Sequence, residues 1–263
     1  MNTQAKPIAS RSVDKLRVKI YADRRELGRA AGQDVGARLQ KLLTQQPQVR
    51  MIFAAAPSQN EFLQALSRYE GLDWSRVVAF HMDEYIGLAE DAPQRFARYL
   101  SDHLFHLVRP GQVHLINSSN DITAECKRYA TLLRAAPIDI VCLGIGENGH
   151  IAFNDPPVAD FNDPLEVKPV ALDITARQQQ VNDGCFARLE DVPTHAITLT
   201  IPTLLSGKAL FCMVPGPTKR AAIRQTLCGP ISSACPATAL RRHVNCMLYL
   251  DAASAELIET NSP

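Results

Sequence analysis

The chain has almost no net charge: 28 Lys and Arg stand against 27 Asp and Glu in 263 residues, a formal +1. Without a surplus of one sign there is no electrostatic footprint for nucleic acid or an anionic membrane, so neither is an expected partner. No apolar run reaches the roughly 18–20 residues of a membrane-spanning helix. Around Lys6, Arg11, Asp14 and Lys15 there is no apolar stretch that would make a secretory signal. Seven cysteines, at 126, 142, 185, 212, 228, 235 and 246, are an odd number and form no C-x-x-C pair, which removes the commonest redox and zinc patterns. Several, such as Cys142 and Cys212, lie in apolar runs where a thiol behaves as a small hydrophobe. Reduced thiols in a cytoplasmic protein are the expectation. There is no internal repeat, low-complexity segment or clear domain boundary.

What is present is an ordinary globular balance, 46% hydrophobic and 21% charged, with enough chain to bury a substantial core. Residues 1–15 are polar and read as a flexible N-terminal arm, and 16–263 as a single α/β domain. Strands are expected at 17–21, 49–55, 77–80, 138–143, 195–200, 209–214 and 244–250. Helices are expected at 22–43, 58–69, 93–107, 121–135, 218–227 and 252–259, the first on a 3.6-residue apolar period. Alternation of the two predicts a mostly parallel sheet with helices on both faces. Residues 155–194, polar and carrying prolines 156, 157, 164, 169 and 193, read as an irregular lid or binding loop.

The organising stretch runs from Val141 to Pro157. Gly144, Gly146 and Gly149 spell G-x-G-x-x-G after a strand, the dinucleotide fingerprint. That fingerprint needs a helix opening at the third glycine, and Pro156 and Pro157 would break one, so no nicotinamide cofactor is expected. A glycine-rich turn beyond a strand's carboxyl end still brings backbone N–H groups to a ligand. His150 there is an acid/base, a metal ligand or a structural histidine; its spacing to Asp155 fits no zinc pattern, and no metal is expected. Asp155 either begins a turn before Pro156 or orients the imidazole.

Asp83 and Glu84 end another strand and point to opposite faces. One of them can enter the crevice, where desolvation raises a carboxyl towards the pKa of a general base; the alternative is a solvated acidic turn. Lys219, after Pro215–Thr218, is placed either to hold an anion at a helix start or simply in solvent. Ser58-x-x-Glu61 has the form of a capping box, and the turn from Ala55 to Ser58 is a second place for a phosphate.

Phe80-His81-Met82-Asp83-Glu84-Tyr85-Ile86-Gly87-Leu88, together with Gly149-His150-Ile151-Ala152-Phe153-Asn154-Asp155-Pro156, resembles the glucosamine-6-phosphate deaminase (isomerase) family over roughly Tyr21 to Asp251. The resemblance implies a modified Rossmann-like α/β fold, no cofactor, and a small sugar phosphate as partner. The implied reaction opens the sugar ring, isomerises aldose to ketose through an enediol(amine) and releases ammonia, taking glucosamine 6-phosphate or a close analogue to fructose 6-phosphate. By that resemblance Asp83 is the base between C2 and C1, and His150 assists ring opening. Asn148 and Asp155 stand where an Asp and a Glu hold the histidine. Lys219 and Ser58 match phosphate-binding positions, with Ala55, Ala56, Gly146 and Gly149 around the substrate.

The departures from the pattern are local. Asn148 cannot take a proton, although it can accept a hydrogen bond. Asp155 is one methylene shorter than Glu, so the histidine is expected to shift or to be held through water. Ala55-Ala56-Pro57-Ser58-Gln59 replaces Thr-Gly-x-Thr-Pro, and Pro57 has no N–H. The family's lid arginine falls near Gly184 in an amide-rich segment, with Arg177 as a candidate replacement. Two rivals remain. A 6-phosphogluconolactonase shares Gly-x-Gly-x-Asp-Gly-His but continues Thr-Ala-Ser-Leu-Phe-Pro; a non-catalytic sugar-phosphate sensor would explain Asn148 and the altered loop. Monomer and homo-oligomer are both open.

Overall fold

Val49–Phe53, Ile140–Leu143 and Ala209–Val214 are short runs without polar alternation, and each is buried from end to end. A strand covered on both faces needs such a run. The computed structural model, which describes residues 5–258, places these three side by side in the middle of an eight-stranded sheet. The strands are β1 Ala9–Val13, β2 Leu16–Tyr21, β3 Val49–Phe53, β4 Val77–His81, β5 Asp83–Tyr85, β6 Gln112–His114, β7 Ile140–Leu143, β8 Val167–Ala171, β9 His195–Leu199, β10 Ala209–Val214 and β11 Cys246–Asp251. The large sheet has the order β1-β2-β11-β10-β7-β3-β4-β6, parallel throughout except for β1 against β2. A second, antiparallel sheet has the order β5-β9-β8. Alternate residues of the central strands feed two apolar clusters: Ile52, Val141 and Leu143 join one, Met51, Phe53 and Cys142 the other. The core therefore lies on both faces of the sheet.

The helices are α1 Arg24–Leu43, α2 Asn60–Ser67, α3 Phe96–Leu100, α4 His106–Val108, α5 Ile122–Arg134, α6 Ile174–Asn182, α7 Ile201–Leu205 and α8 Arg220–Cys228. Asp23 caps α1 by accepting from the Glu26 N–H, and Asp121 caps α5 through Ala124. On α1, Gly28, Gly32 and Gly36 lie four residues apart, one per helical turn. A Cβ at Gly32 would sit 2.5 Å from that of Ala65, and one at Gly28 or Gly36 would run into Glu61 or the Tyr69 ring. The stripe lets α2 press against α1, and this fixes the loop that enters α2 from β3.

Several expectations need correction. The stretch 1–15 is not all a free arm: residues 9–13 form edge strand β1, paired with β2, and Asp14 pairs with Arg241. An edge strand buries little, so its polar sequence disguised it; residues 1–4 lie outside the described residues. The stretch 155–194 contains β8 and α6. Pro169 sits within β8, the edge strand of the small sheet, where a missing N–H is tolerated. Residues 195–200 belong to that small sheet and not to the large one. Residues 252–257 are turns, held by Asp251 and Ser254, and Glu259 lies outside the described residues. The 93–107 helix is α3 and α4 joined through a π turn at Ser101–Phe105. No helix opens at Gly149, where turns and an Ile151–Asn154 bridge follow, so the dinucleotide geometry is not formed. Among the described residues no helix is long and apolar enough to cross a membrane.

Candidate active site

Because β10, β7, β3 and β4 are parallel neighbours, their carboxyl ends share one edge, the usual place for a ligand in such a sheet. The segments leaving them converge there. Ala54–Gln59 follows β3, Met82 and Asp83 follow β4, Gly144–Gly146 and His150 follow β7, and Lys219 follows β10. With Phe96, Phe153 and the roof residues Gln179 and Gln180 of α6, they line a half-open chamber of about 60 Å³. That is room for a few water molecules.

Met82 lies between the two sheets, where the chain leaves β4 for β5. Asp83 and Glu84 on β5 diverge as adjacent strand residues must. Asp83 faces the chamber at 7% exposure. Burial, and then the negative charges of Glu84 and Asp155, push its carboxyl well above the ordinary range. Glu84, fully buried, turns the other way and accepts N–H bonds from Tyr85, Phe96 and Ala97 at 3.0, 3.1 and 3.0 Å. The solvated-turn alternative is excluded for both.

His150 is held from one side of its ring. Nδ1 lies 2.7 Å from Asn148 Oδ1 and 3.0 Å from Asp155 Oδ1, and Asn148 Nδ2 donates to Asp155 Oδ1 at 3.0 Å. A carboxylate only accepts, so Asn148 must turn its NH₂ to Asp155 and its oxygen to the imidazole. With two acceptors at Nδ1, the ring proton sits there and Nε2 is left for chemistry. Burial alone would raise the Asp155 carboxyl; the His150 and Asn148 hydrogen bonds, the His150 charge and the Asp173 N–H together hold it below its ordinary value. The shorter side chain needs no water, since it reaches the ring directly. The turn that returns Val158 and Ala159 N–H groups to the Asp155 carbonyl, and Asn154 anchored on Ile151 and Leu199 carbonyls, bring its backbone close enough.

The glycines have a different task from the one expected. Gly146 N–H donates to His150 O and Gly149 N–H to Gly146 O, so neither amide is free for a phosphate. Any side chain at Gly146 would collide with the His150 ring, while Gly149 lies at φ +83° against Cys235 and outside the chamber wall. Both shape the turn that carries the histidine.

At the far side Lys219 is 5% exposed, and among the described residues its ammonium makes no hydrogen bond or ion pair. Burial lowers its pKa, partly countered by Asp183 and Glu147. A buried cation facing a cavity without a partner calls for an anion. Ala55, Ala56 and Ser58 line the same space. Ser58 does not cap α2, which is entered through a 3₁₀ turn, and Glu61 is committed to Arg24 at 2.6 Å. Ser58 Oγ instead accepts from Gln59 Nε2 at 3.1 Å, leaving its own O–H to donate. Arg177 is no substitute cation: its guanidinium binds the Leu189 and Val192 carbonyls, away from the chamber. Gln59, Gln179 and Gln180 are wall residues that the sequence did not single out, although the amide-rich run around 178–180 was a signal. Among the described residues no three of His, Cys, Asp and Glu form a metal-sized group.

Comparison with known proteins gives the chain a family. A family model described as glucosamine-6-phosphate isomerases/6-phosphogluconolactonase matches residues 22–248. The glucosamine-6-phosphate deaminase of Exiguobacterium sibiricum is 38% identical over 192 residues, 73% of this chain and 74% of that protein. The Bacillus thuringiensis deaminase is 38% identical over 185 residues, 70% and 69% of the two chains. Among solved structures, a glucosamine-6-phosphate deaminase described as monomeric superposes with a TM-score of 0.84 at 30% identity, covering 91% of this chain and 99% of the other. A 6-phosphogluconolactonase from Thermotoga maritima, at 19% identity and a TM-score of 0.74 over 90% and 99%, shares the fold. By sequence and by fold alike, this chain belongs to the glucosamine-6-phosphate isomerase/6-phosphogluconolactonase family.

Proposed function

We propose that the protein is an amino-sugar-phosphate deaminase that takes glucosamine 6-phosphate, or a close analogue, to fructose 6-phosphate and ammonia. The observation that carries this reading is the meeting, in one chamber, of a buried carboxyl of raised proton affinity at Asp83 and a histidine whose Nδ1 is pinned. His150 Nε2 takes the proton of the anomeric hydroxyl and passes it to the ring oxygen as the C1–O5 bond breaks, opening the ring. Asp83 as carboxylate takes the proton from C2 while the substrate's own ammonium group gives one to O1, leaving an enolamine, and the carboxyl then returns its proton to C1. The resulting C2 imine is hydrolysed by one water to the ketone and ammonia. A base of raised proton affinity suits abstraction from carbon, a weak acid. Lys219 and the Ser58 hydroxyl hold the phosphate at the other end.

Gln179 and Gln180 bring α6 to the chamber wall, so this helix is the element expected to shift as a sugar phosphate enters. The burial of five of the seven cysteines as free thiols supports a cytoplasmic setting.

The deciding experiment measures ammonia and fructose 6-phosphate released from glucosamine 6-phosphate, with Asp83→Asn as control. Turnover that vanishes in the variant upholds the proposal. A folded wild-type protein that releases no ammonia from any hexosamine 6-phosphate overturns it, and hydrolysis of 6-phosphogluconolactone would then favour the lactonase.

A further inference from the structure

The buried pair Glu84 and Arg95 has no place in the chemistry above, yet it sits directly behind Asp83. Glu84 is fully buried and Arg95 nearly so, with Arg95 Nε 3.5 Å from Glu84 Oε2. Oε1 accepts from Tyr85 N–H and from Phe96 N–H, the first residue of α3; Oε2 accepts from Ala97 N–H, the second. Arg95, the residue before α3, provides no side-chain cap, so Glu84 takes that part from another element. One carboxylate therefore ties β5 to the start of α3, which carries Phe96 into the chamber wall. Burying a charge is costly unless it is paired and hydrogen-bonded. An apolar side chain on β5 could fill the same core volume without that cost, so the retained charge invites a functional explanation.

We propose that Glu84 is a positioning residue for Asp83: it locks β5 so that the neighbouring carboxyl faces the chamber, and its charge, partly offset by Arg95, sets how tightly Asp83 holds a proton. The inference rests on the reading of Asp83 as the proton-transfer base. The groups facing the pair can be named. Around Asp83 are Glu84 on its own strand, Asp155 and His150 from the turn after β7, and Lys219 on the chamber wall. Opposite on β9 are Thr198 and Ile197, which do not titrate. Around Glu84 are Arg95 and Tyr85. His81 beneath Arg95 is fully buried and kept neutral by that burial first and by the Arg95 charge second. Removing the Glu84 charge takes away one of the two negative charges that raise Asp83, which favours its carboxylate, while Arg95 acts on Asp83 by offsetting Glu84. Removing the Arg95 charge does the reverse.

The test is a carbon-13 NMR titration of the aspartate side-chain carboxyls in the full-length protein, with the Asp83 signal assigned by its loss in Asp83→Asn. It is run on wild type, Glu84→Gln and Arg95→Gln, alongside the pH profile of kcat/KM. The expected result is an Asp83 midpoint lowered by roughly one pH unit in Glu84→Gln and raised in Arg95→Gln, with the acid limb of kcat/KM moving in step. A merely structural Glu84 would lower kcat at every pH and leave both midpoints where they were, and that outcome overturns the inference. If Glu84→Gln does not fold, the sign of the shift in Arg95→Gln decides alone, because that variant keeps the cap on α3. The titration needs no turnover, so a moving midpoint in a protein without deaminase activity would retain the tuning and reject the function.

Discussion

Asn148 occupies a position where a carboxylate would be at odds with its surroundings. Its amide donates to Asp155 at 3.0 Å and accepts from both the backbone and the ring of His150. Asn148→Asp would set two carboxylates in contact in a buried site, where they must share a proton or repel. We expect the variant to lose about 1–3 kcal/mol at neutral pH and to recover part of it on acidification, when the shared proton binds. Urea unfolding at pH 5 and pH 7 measures this; equal losses at the two pH values would remove the argument. Asp83 and His150, the pair proposed to carry the chemistry, stand out in the sequence because both lie in short motifs with distinctive neighbours. Gln59 was not legible because nothing local marks a glutamine as buried, Gln179 and Gln180 showed only as part of an amide-rich run, and the direct Asp155 contact was not legible because side-chain length says nothing of where a turn places the backbone.

The elements that carry an apolar period or an unbroken apolar run were readable: α1, α5 and the strands β3, β4, β7 and β10 all occur within a few residues of expectation. β1 was hidden by its polar edge sequence, and others by partners remote in sequence. β5 is three residues that look like the end of β4 until β9 pairs with them, and α6 is a polar helix held by the Asp173 cap and by Arg177 on the Leu189 and Val192 carbonyls. Two outcomes follow from these elements. Substrate should slow amide hydrogen exchange across α6 if it is the roof, and unchanged exchange at saturating ligand rejects that role. On α1, Gly32→Leu forces bulk against Ala65 and should cost about 1–3 kcal/mol or more. A chemical denaturation midpoint equal to wild type would show that α2 can simply move away.

For the molecule as a whole, burial of His81 links stability to pH. Its Nε2 accepts from Ile116 N–H at 2.7 Å, and burial lowers its pKa from 6.5 to about 3. The unfolded chain binds this proton from about pH 6.5 downward and the native state does not until about pH 3. Stability therefore falls on acidification through that window, by up to about 1.4 kcal/mol per pH unit from this group. Asp83 acts oppositely: its folded pKa is raised, so its contribution is present at low pH and is lost as pH rises through the folded value. Comparing unfolding free energies at pH 5 and 7 for wild type and His81→Asn isolates the histidine; an unchanged slope would assign the acid sensitivity elsewhere.

Asp155 also has a second hold. While Oδ1 takes His150 and Asn148, Oδ2 accepts from the backbone N–H of Asp173 at 3.3 Å, and Asp173 caps α6 through Thr175. One carboxylate thus ties the histidine proposed to move the proton to the start of α6. On the proposed reading, any outward movement of α6 would pull on the carboxylate that holds the imidazole, coupling proton transfer to the cover over the substrate.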